Sequence, residues 1–186
     1  MEQNRNSQIF QDSKSNLLFP KNTHEIVKLI KKCNQTNSPI EIVGLGSKKD
    51  IGKPLQCAHT ISLSKLSGII DYKPEELYIK VYAGTSLSVV LETLKKNNQF
   101  LAFDPIDCGY LFKGSSNSGT IGGLVSTNLA GPRRFKSGSV RDHILGFQGI
   151  NGKGEVIKSG GTVVKNVTGY DLSKLITGAY GTLAVL

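Results

Sequence analysis

Apolar residues recur at helical spacing at Ile26, Leu29, Ile30 and Cys33, with polar residues between them, which predicts an amphipathic helix. Asn22 and Glu25 stand three apart at its start as a capping-box-like pair, and Pro39 stops it. Ile40-Glu41-Ile42-Val43 then reads as a strand that runs into Gly44-Leu45-Gly46-Ser47-Lys48-Lys49. Thr60–Leu63 reads as a short strand, and Gly68–Tyr72 and Leu77–Tyr82 as two strands joined by a turn at Lys73–Glu76. A second helix is predicted from near Ser86, with Leu87, Val90, Leu91 and Leu94 along one face and an end at Asn97-Asn98. The first twenty residues read as a loose arm ending in Leu17-Leu18-Phe19-Pro20.

Beyond Pro105 the apolar pattern is interrupted by glycine. Thr120 is a candidate N-cap for a helix carrying Ile121, Leu124, Val125 and Leu129 on one face, stopped by Gly131-Pro132. Val140-Arg141-Asp142-His143 leads into a strand over Ile144–Ile150, Asn151-Gly152 is a hairpin turn, and Glu155–Lys158 is the return strand. A helix from Asp171 carries Leu172, Leu175 and Ile176 and ends at Gly178, and Gly181–Leu186 reads as a last strand. Helices and strands do not alternate strictly, which predicts an α+β fold over a doubly wound sheet.

Of the 21 glycines, sixteen follow Pro105. Such density implies unusual backbone conformations or close approach to another group. Gly122-Gly123, just inside a helix start, suggests amides free to hold an anion such as a phosphate. The earlier Gly44-Leu45-Gly46 turn follows a strand, as a dinucleotide fingerprint would. Yet Lys49 stands at the third glycine position, and Asp50-Ile51-Gly52-Lys53-Pro54 reads as loop where a helix should begin, which disfavours a Rossmann fold. Two readings of this stretch stand side by side: a turn offering backbone amides and the Ser47 hydroxyl to a phosphate, or a simple tight turn.

Composition narrows the classes. A 186-residue chain with 38% hydrophobic and 20% charged residues suits a soluble globular protein of one domain or two small subdomains. Apolar runs long enough for a membrane helix are missing from the sequence, and the polar start lacks a secretory signal core, so a cytoplasmic location is expected. Cys33, Cys57 and Cys108 match neither a disulfide framework nor a metal spacing, so no metal site is expected. The formal charge of +9 is compatible with nucleic acid, an anionic membrane or an anionic ligand. Its lysines are scattered and not interleaved with aromatics, so a solvated lysine-rich surface is the plainer reading and nucleic acid is not an expected partner.

Five segments occur in a familiar order: Thr120-Ile121-Gly122-Gly123, Gly138-Ser139-Val140-Arg141-Asp142, Asn151-Gly152-Lys153-Gly154, Lys165-Asn166-Val167-Thr168-Gly169-Tyr170-Asp171 and Gly178-Ala179-Tyr180-Gly181-Thr182-Leu183. The chain thereby resembles the PCMH-type FAD-binding domain of vanillyl-alcohol-oxidase-like flavoproteins. Gly131-Pro132-Arg133-Arg134 together with Lys165 to Asp171 most resembles the FAD-binding subunits of glycolate oxidases. The resemblance implies an arm over 1–20 and an FAD-binding domain over 21–186, in two α+β subdomains of about 21–72 and about 73–186 with FAD extended between them. By position it implies a first pyrophosphate loop at Val43, Gly44, Leu45, Gly46, Ser47 and Lys48. Pro105, Thr120, Ile121, Gly122 and Gly123 match the segment lining flavin and pyrophosphate, with Ser126, Asn128 and Gly131 along the next turn of that wall. Ser139, Val140 and Asp142 match the following loop, Lys165 and Gly169 flank the next bend, and Val185 falls where the adenine end is touched.

A histidine is missing where some relatives link FAD covalently, so the expected cofactor is non-covalent FAD. His24 and His59 read as surface residues, His143 as a strand-entry residue and Cys108 as a buried, inert thiol. Relatives continue into a cap domain that holds substrate-handling residues, so no catalytic residue is assigned and the domain is expected to be incomplete at its C-terminal end. The implied function is the FAD-binding subunit of a 2-hydroxy-acid oxidoreductase of glycolate oxidase type. A small 2-hydroxy acid is then the expected substrate, and the flavin passes electrons to a second flavoprotein subunit and an iron–sulfur subunit. A truncated or structural flavin-binding subunit without catalysis of its own is the alternative.

Overall fold

The computed structural model describes residues 17–53, 55–113, 119–161 and 169–186. Along the chain the elements are β1 (Leu17–Leu18), α1 (Thr23–Gln35), β2 (Ile40–Val43), β3 (His59–Ser62), β4 (Ile69–Lys73), β5 (Tyr78–Val81), α2 (Leu87–Lys96) and α3 (Cys108–Lys113). Then come α4 (Ile121–Thr127), α5 (Arg134–Ser137), α6 (Val140–His143), β6 (Gly146–Asn151), β7 (Val156–Gly160), α7 (Leu172–Ile176) and β8 (Ala184–Val185). This is the expected α+β mixture.

The start of α1 is held through Glu25, whose N donates to Asn22 Oδ1 at 2.9 Å while its carboxylate accepts from Asn22 Nδ2 at 3.0 Å and from Lys21 N at 2.7 Å. Its apolar face, Ile26, Leu29, Ile30 and Cys33, is buried as the spacing requires. Burial pushes the Cys33 thiol above its ordinary pKa, which keeps it protonated and unreactive.

Among the described residues three small sheets form: β1-β3-β2, all parallel; the β4–β5 antiparallel pair; and β7-β6-β8, antiparallel. Leu17 and Leu18, at the end of the expected arm, pair with Thr60 and Ile61. The edge of β3 offers unpaired backbone groups that an adjacent extended segment satisfies.

Two apolar clusters of described residues hold these pieces. One gathers Ile26, Leu29 and Ile30 of α1, Ile61 and Leu63, and from the far end of the chain Ile150 and Val185. The other gathers Leu87, Phe103, Leu124, Val125 and Val140, with Leu186 packed against it. Each fully buried aliphatic side chain contributes about 1.5–3 kcal/mol.

Besides the short helices α3 and α5, which the periodicity does not mark, the second half departs from the expected elements as follows. The helix expected through Leu129 stops at Thr127, because Asn128 takes a left-handed conformation (φ 52°) that asparagine tolerates. Residues 140–143 form a helical turn where a strand entry was expected, since Ser139 N and Oγ both donate to Asp142 Oδ2, at 2.7 and 3.0 Å, and cap it. The last strand is confined to Ala184–Val185, with Thr182 N turned back to the Ala179 carbonyl.

Candidate cofactor site

Val43 ends β2 and delivers Gly44–Lys48 to the edge of the sheet. The loop is tied down where Ser62 Oγ donates to the Gly44 carbonyl at 3.1 Å. On its other side Gly44 lies directly on Thr120: a β-carbon at position 44 would sit 2.8 Å from Thr120 Cγ2. The two glycine-bearing stretches singled out from the sequence therefore meet. Lys48 extends across this junction, its Nζ 3.3 Å from where a β-carbon on Gly119 would stand and 3.7 Å from the equivalent point on Gly123. Ser47 is buried, its Oγ 3.8 Å from the same point on Gly119. Burial pulls the Lys48 ammonium below the ordinary lysine pKa, against the opposing pull of Cys108 and Asp107. An open groove of about 320 Å³ runs along the same loop, walled by Phe19, Val43, Leu45, Gly46 and Lys49.

The first turn of α4 is put to a different use from the one the glycine pattern suggests. Ile121 N donates to the Thr85 carbonyl at 2.9 Å, Gly122 N to Ala83 O at 2.7 Å, Gly123 N to Thr120 Oγ1 at 3.2 Å and Leu124 N to Thr120 O at 2.9 Å. These amides are paired inside the protein. Gly122 is glycine because Ala83 is so close: a β-carbon there would meet Ala83 Cβ at 2.8 Å and its carbonyl at 2.9 Å. The charged group at this junction is the Lys48 ammonium, which turns into it.

A second junction lies further along the same wall. Pro105 bridges Ala130 in antiparallel fashion, and Gly131 N donates to Asp104 O at 2.6 Å. Arg133 closes it, pairing with Asp104 Oδ1 at 3.0 Å while its guanidinium lies 5.3 Å from the Phe100 ring centroid. Beyond α4, Ser126 O accepts from Tyr180 N at 2.8 Å and Val125 O from Gly178 N at 3.0 Å, so the Gly178–Tyr180 stretch runs beside the helix end. Asn128 Oδ1 accepts from Arg141 N at 3.0 Å, which links this end to the Ser139–Asp142 turn. Two hydrogen bonds from Ser139 hold the Asp142 carboxyl below its usual pKa.

Val140 and Val185 are buried in the two apolar clusters, where their side chains are packing residues. Gly169 is exposed at a positive φ of 81°, and Lys165 lies outside the described residues. His24 is exposed and His59 half-buried. His143 accompanies the α6 turn, its Nε2 2.6 Å from Ser137 O and its ring 5.3 Å from that of Phe103. Cys108 is buried, at 2% exposure, as expected.

Sequence reasoning passed over Ala83 and Thr85, whose carbonyls dock α4, and over Asp104 and Asp107. Asp107 is a cap: its Oδ1 accepts from Gly109 N at 3.0 Å and Tyr110 N at 3.4 Å. An aspartate just ahead of a small residue was the available signal, but the segment after it carries too little periodicity to read as a helix. Among the described residues no cluster of His, Cys, Asp or Glu could hold a metal, and no helix is long and apolar enough to cross a membrane.

Residues 15–160 match the family model described as FAD binding domain. The chain belongs to this family. Its cofactor is FAD. Glycolate oxidase subunit GlcE of Escherichia coli (strain K12) is 41% identical over 161 residues, which is 85% of this chain and 44% of that protein. Glycolate oxidase subunit GlcD of Bacillus subtilis (strain 168) is 28% identical over 95% of this chain and 36% of its own length. D-lactate dehydrogenase of Anaerostipes hadrus is 32% identical, over 88% and 33%. The chain thus spans less than half the length of these curated relatives. Among solved structures, alkyldihydroxyacetonephosphate synthase superposes with a TM-score of 0.70 at 21% identity, covering 91% of this chain and 29% of that one, which shows the fold.

The residues at the first junction suit this cofactor. An FAD-binding domain must accommodate a diphosphate, and the meeting of Gly44–Lys48 with Gly119–Gly123 combines a cation with side-chain-free backbone. The first stretch brings the lysine and the second brings the glycines that leave room beside its ammonium.

Proposed function

We propose that this FAD-binding domain is the flavin-holding part of a 2-hydroxy-acid oxidoreductase of glycolate oxidase type, acting with a second flavoprotein subunit and an iron–sulfur subunit. The observation that carries the reading is the 41% identity to glycolate oxidase subunit GlcE over 85% of this chain. D-lactate dehydrogenase among the relatives supports the same class, since lactate and glycolate share the hydroxyl beside a carboxylate.

In this reading FAD is held without a covalent bond along the wall from Val43–Lys48 through Thr120–Gly123 to Ser126, Asn128 and Gly131. Bound there, FAD supplies the two-electron acceptor for the carbon that carries the hydroxyl. The protein's own work is positioning. Ser62 fixes the first loop through the Gly44 carbonyl, and Thr120 caps α4 while bearing on that loop. Asp104 ties Gly131 and Arg133 together at the wall's far end. Ser139 and Asp142 rigidify the turn that reaches Asn128 through Arg141.

The test begins with purified protein. A flavin absorbance spectrum is expected, with all the flavin released as FAD into the supernatant after acid precipitation. Co-expression with glycolate oxidase partner subunits is then expected to give dye-coupled oxidation of glycolate in preference to D-lactate. A protein that cannot be loaded with FAD would overturn the reading at its base. Loading with FAD but no oxidation of either acid in the complex would leave a structural flavin-binding subunit.

A further inference from the structure

We infer that Lys48 supplies the counter-charge for the FAD diphosphate, and that Lys49, its sequence neighbour, takes no part in holding the cofactor. The inference rests on the flavin-binding reading above.

Two consecutive lysines are sent in opposite directions here. Lys49 Nζ pairs with Glu41 Oε2 at 2.9 Å with 45% of its side chain exposed, so its charge is already matched and solvated. Lys48 turns inward instead, into the junction between the first glycine loop and the Gly119–Gly123 segment. Glycine at both 119 and 123 leaves the space its ammonium occupies, 3.3 and 3.7 Å from the two missing β-carbons.

For a lysine this is a costly place. Burial removes water from the ammonium, and the neighbouring first turn of α4 presents the positive ends of its peptide dipoles. Asp107 and Cys108 act on it favourably, yet burial outweighs them. Asp107 also shares its Oδ1 with the amides of Gly109 and Tyr110. The α4 amides are committed to Thr85, Ala83 and Thr120, so they bring no free donor to an anion. Beside the backbone of the Gly44–Lys48 loop, the charge that the junction offers an anion is therefore the lysine side chain. A diphosphate seated against it would gain a charge-assisted hydrogen bond and relieve the unfavourable position of the cation.

The experiment is FAD titration of flavin-free protein, followed by fluorescence at several salt concentrations, for wild type, Lys48→Met, Lys48→Arg and Lys49→Met. Lys48→Met is expected to weaken FAD binding by about 10- to 100-fold, the range for loss of a hydrogen bond to a charged group. Its affinity should also depend less on salt than that of wild type, because one screened charge pair is gone. Lys48→Arg should keep most of the affinity and the wild-type salt dependence, and Lys49→Met should match wild type in both. Unchanged FAD affinity in Lys48→Met overturns the inference. So does a loss that keeps the wild-type salt dependence, which would mark a packing role, and so does an equal loss in Lys49→Met. Should Lys48→Met not fold, Lys48→Gln is judged by the same two readouts. Wild-type protein without affinity for FAD would overturn the flavin-binding reading itself and this inference with it.

Discussion

Gly44 and Thr120 are in contact with no room for a β-carbon between them: one built on Gly44 would collide with the threonine side chain, lying 2.8 Å from Cγ2. Gly44→Val is expected to force the first loop off the Gly119–Gly123 segment and abolish FAD retention. Lys95→Ala, on the exposed side of α2, should keep full flavin content and shift stability by no more than about 0.5 kcal/mol. The flavin-to-protein absorbance ratio after gel filtration measures both. Full FAD content in Gly44→Val would remove this junction from the site.

Gly122 and Gly123 are adjacent but should respond differently. A β-carbon on Gly122 meets the Ala83 carbonyl oxygen at 2.9 Å, and backbone cannot move aside cheaply, so Gly122→Ala should cost about 1–3 kcal/mol of stability. At Gly123 the neighbours are Thr120 Oγ1 at 3.3 Å and Lys48 Nζ at 3.7 Å, both side-chain atoms. Gly123→Val should therefore displace the lysine and abolish FAD binding while the protein stays folded. Urea midpoints and flavin content, measured together, separate the two effects. A Gly123→Val protein that retains wild-type flavin would show that the lysine's position does not matter.

Leu29 is 1% exposed in the cluster that also contains Ile150 and Val185. Leu29→Ala is expected to cost about 2–5 kcal/mol. Since the cluster joins α1 to β6 and β8, faster amide hydrogen exchange should appear at Ile150 as well as in α1. Faster exchange confined to α1 would mean that the two ends of the chain do not share one cooperative core.

The Asp142 carboxylate accepts from both Ser139 N and Ser139 Oγ, which lowers its pKa from the ordinary 3.8. A depressed carboxylate adds stability above the unfolded-state pKa and loses it as pH falls through the lower folded-state value. Asp142→Asn should therefore be less stable than wild type at neutral pH. The gap should close below pH 3.8, as the wild-type carboxyl takes up its proton. Thermal melts of both proteins across that range check the sign. A gap that widens on acidification would contradict the assigned cause.

Elements built on local rules were legible in the sequence. The Asn22 cap, the Ile26–Cys33 stripe, the β4–β5 and β6–β7 hairpins and the Asp171 start of α7 follow from spacing, turn chemistry and capping within a few residues. The family was legible too, because ordered glycine motifs survive as text. Tertiary structure decided what those glycines do. Gly122 reads as an anion site in isolation, yet its amide and its missing side chain both answer to Ala83, far away in the chain. Lys48 and Lys49 are indistinguishable by type, and only the position of Glu41 on one side and of Gly119 and Gly123 on the other sends one outward and one inward. Val185 matched a cofactor position by alignment of motifs, while packing put its side chain in the core with Leu29. The physical reason is common to all three: capping and periodicity are energies between near neighbours along the chain. The environment of a charge, or the room beside a glycine, is set by segments that meet only after the backbone has folded.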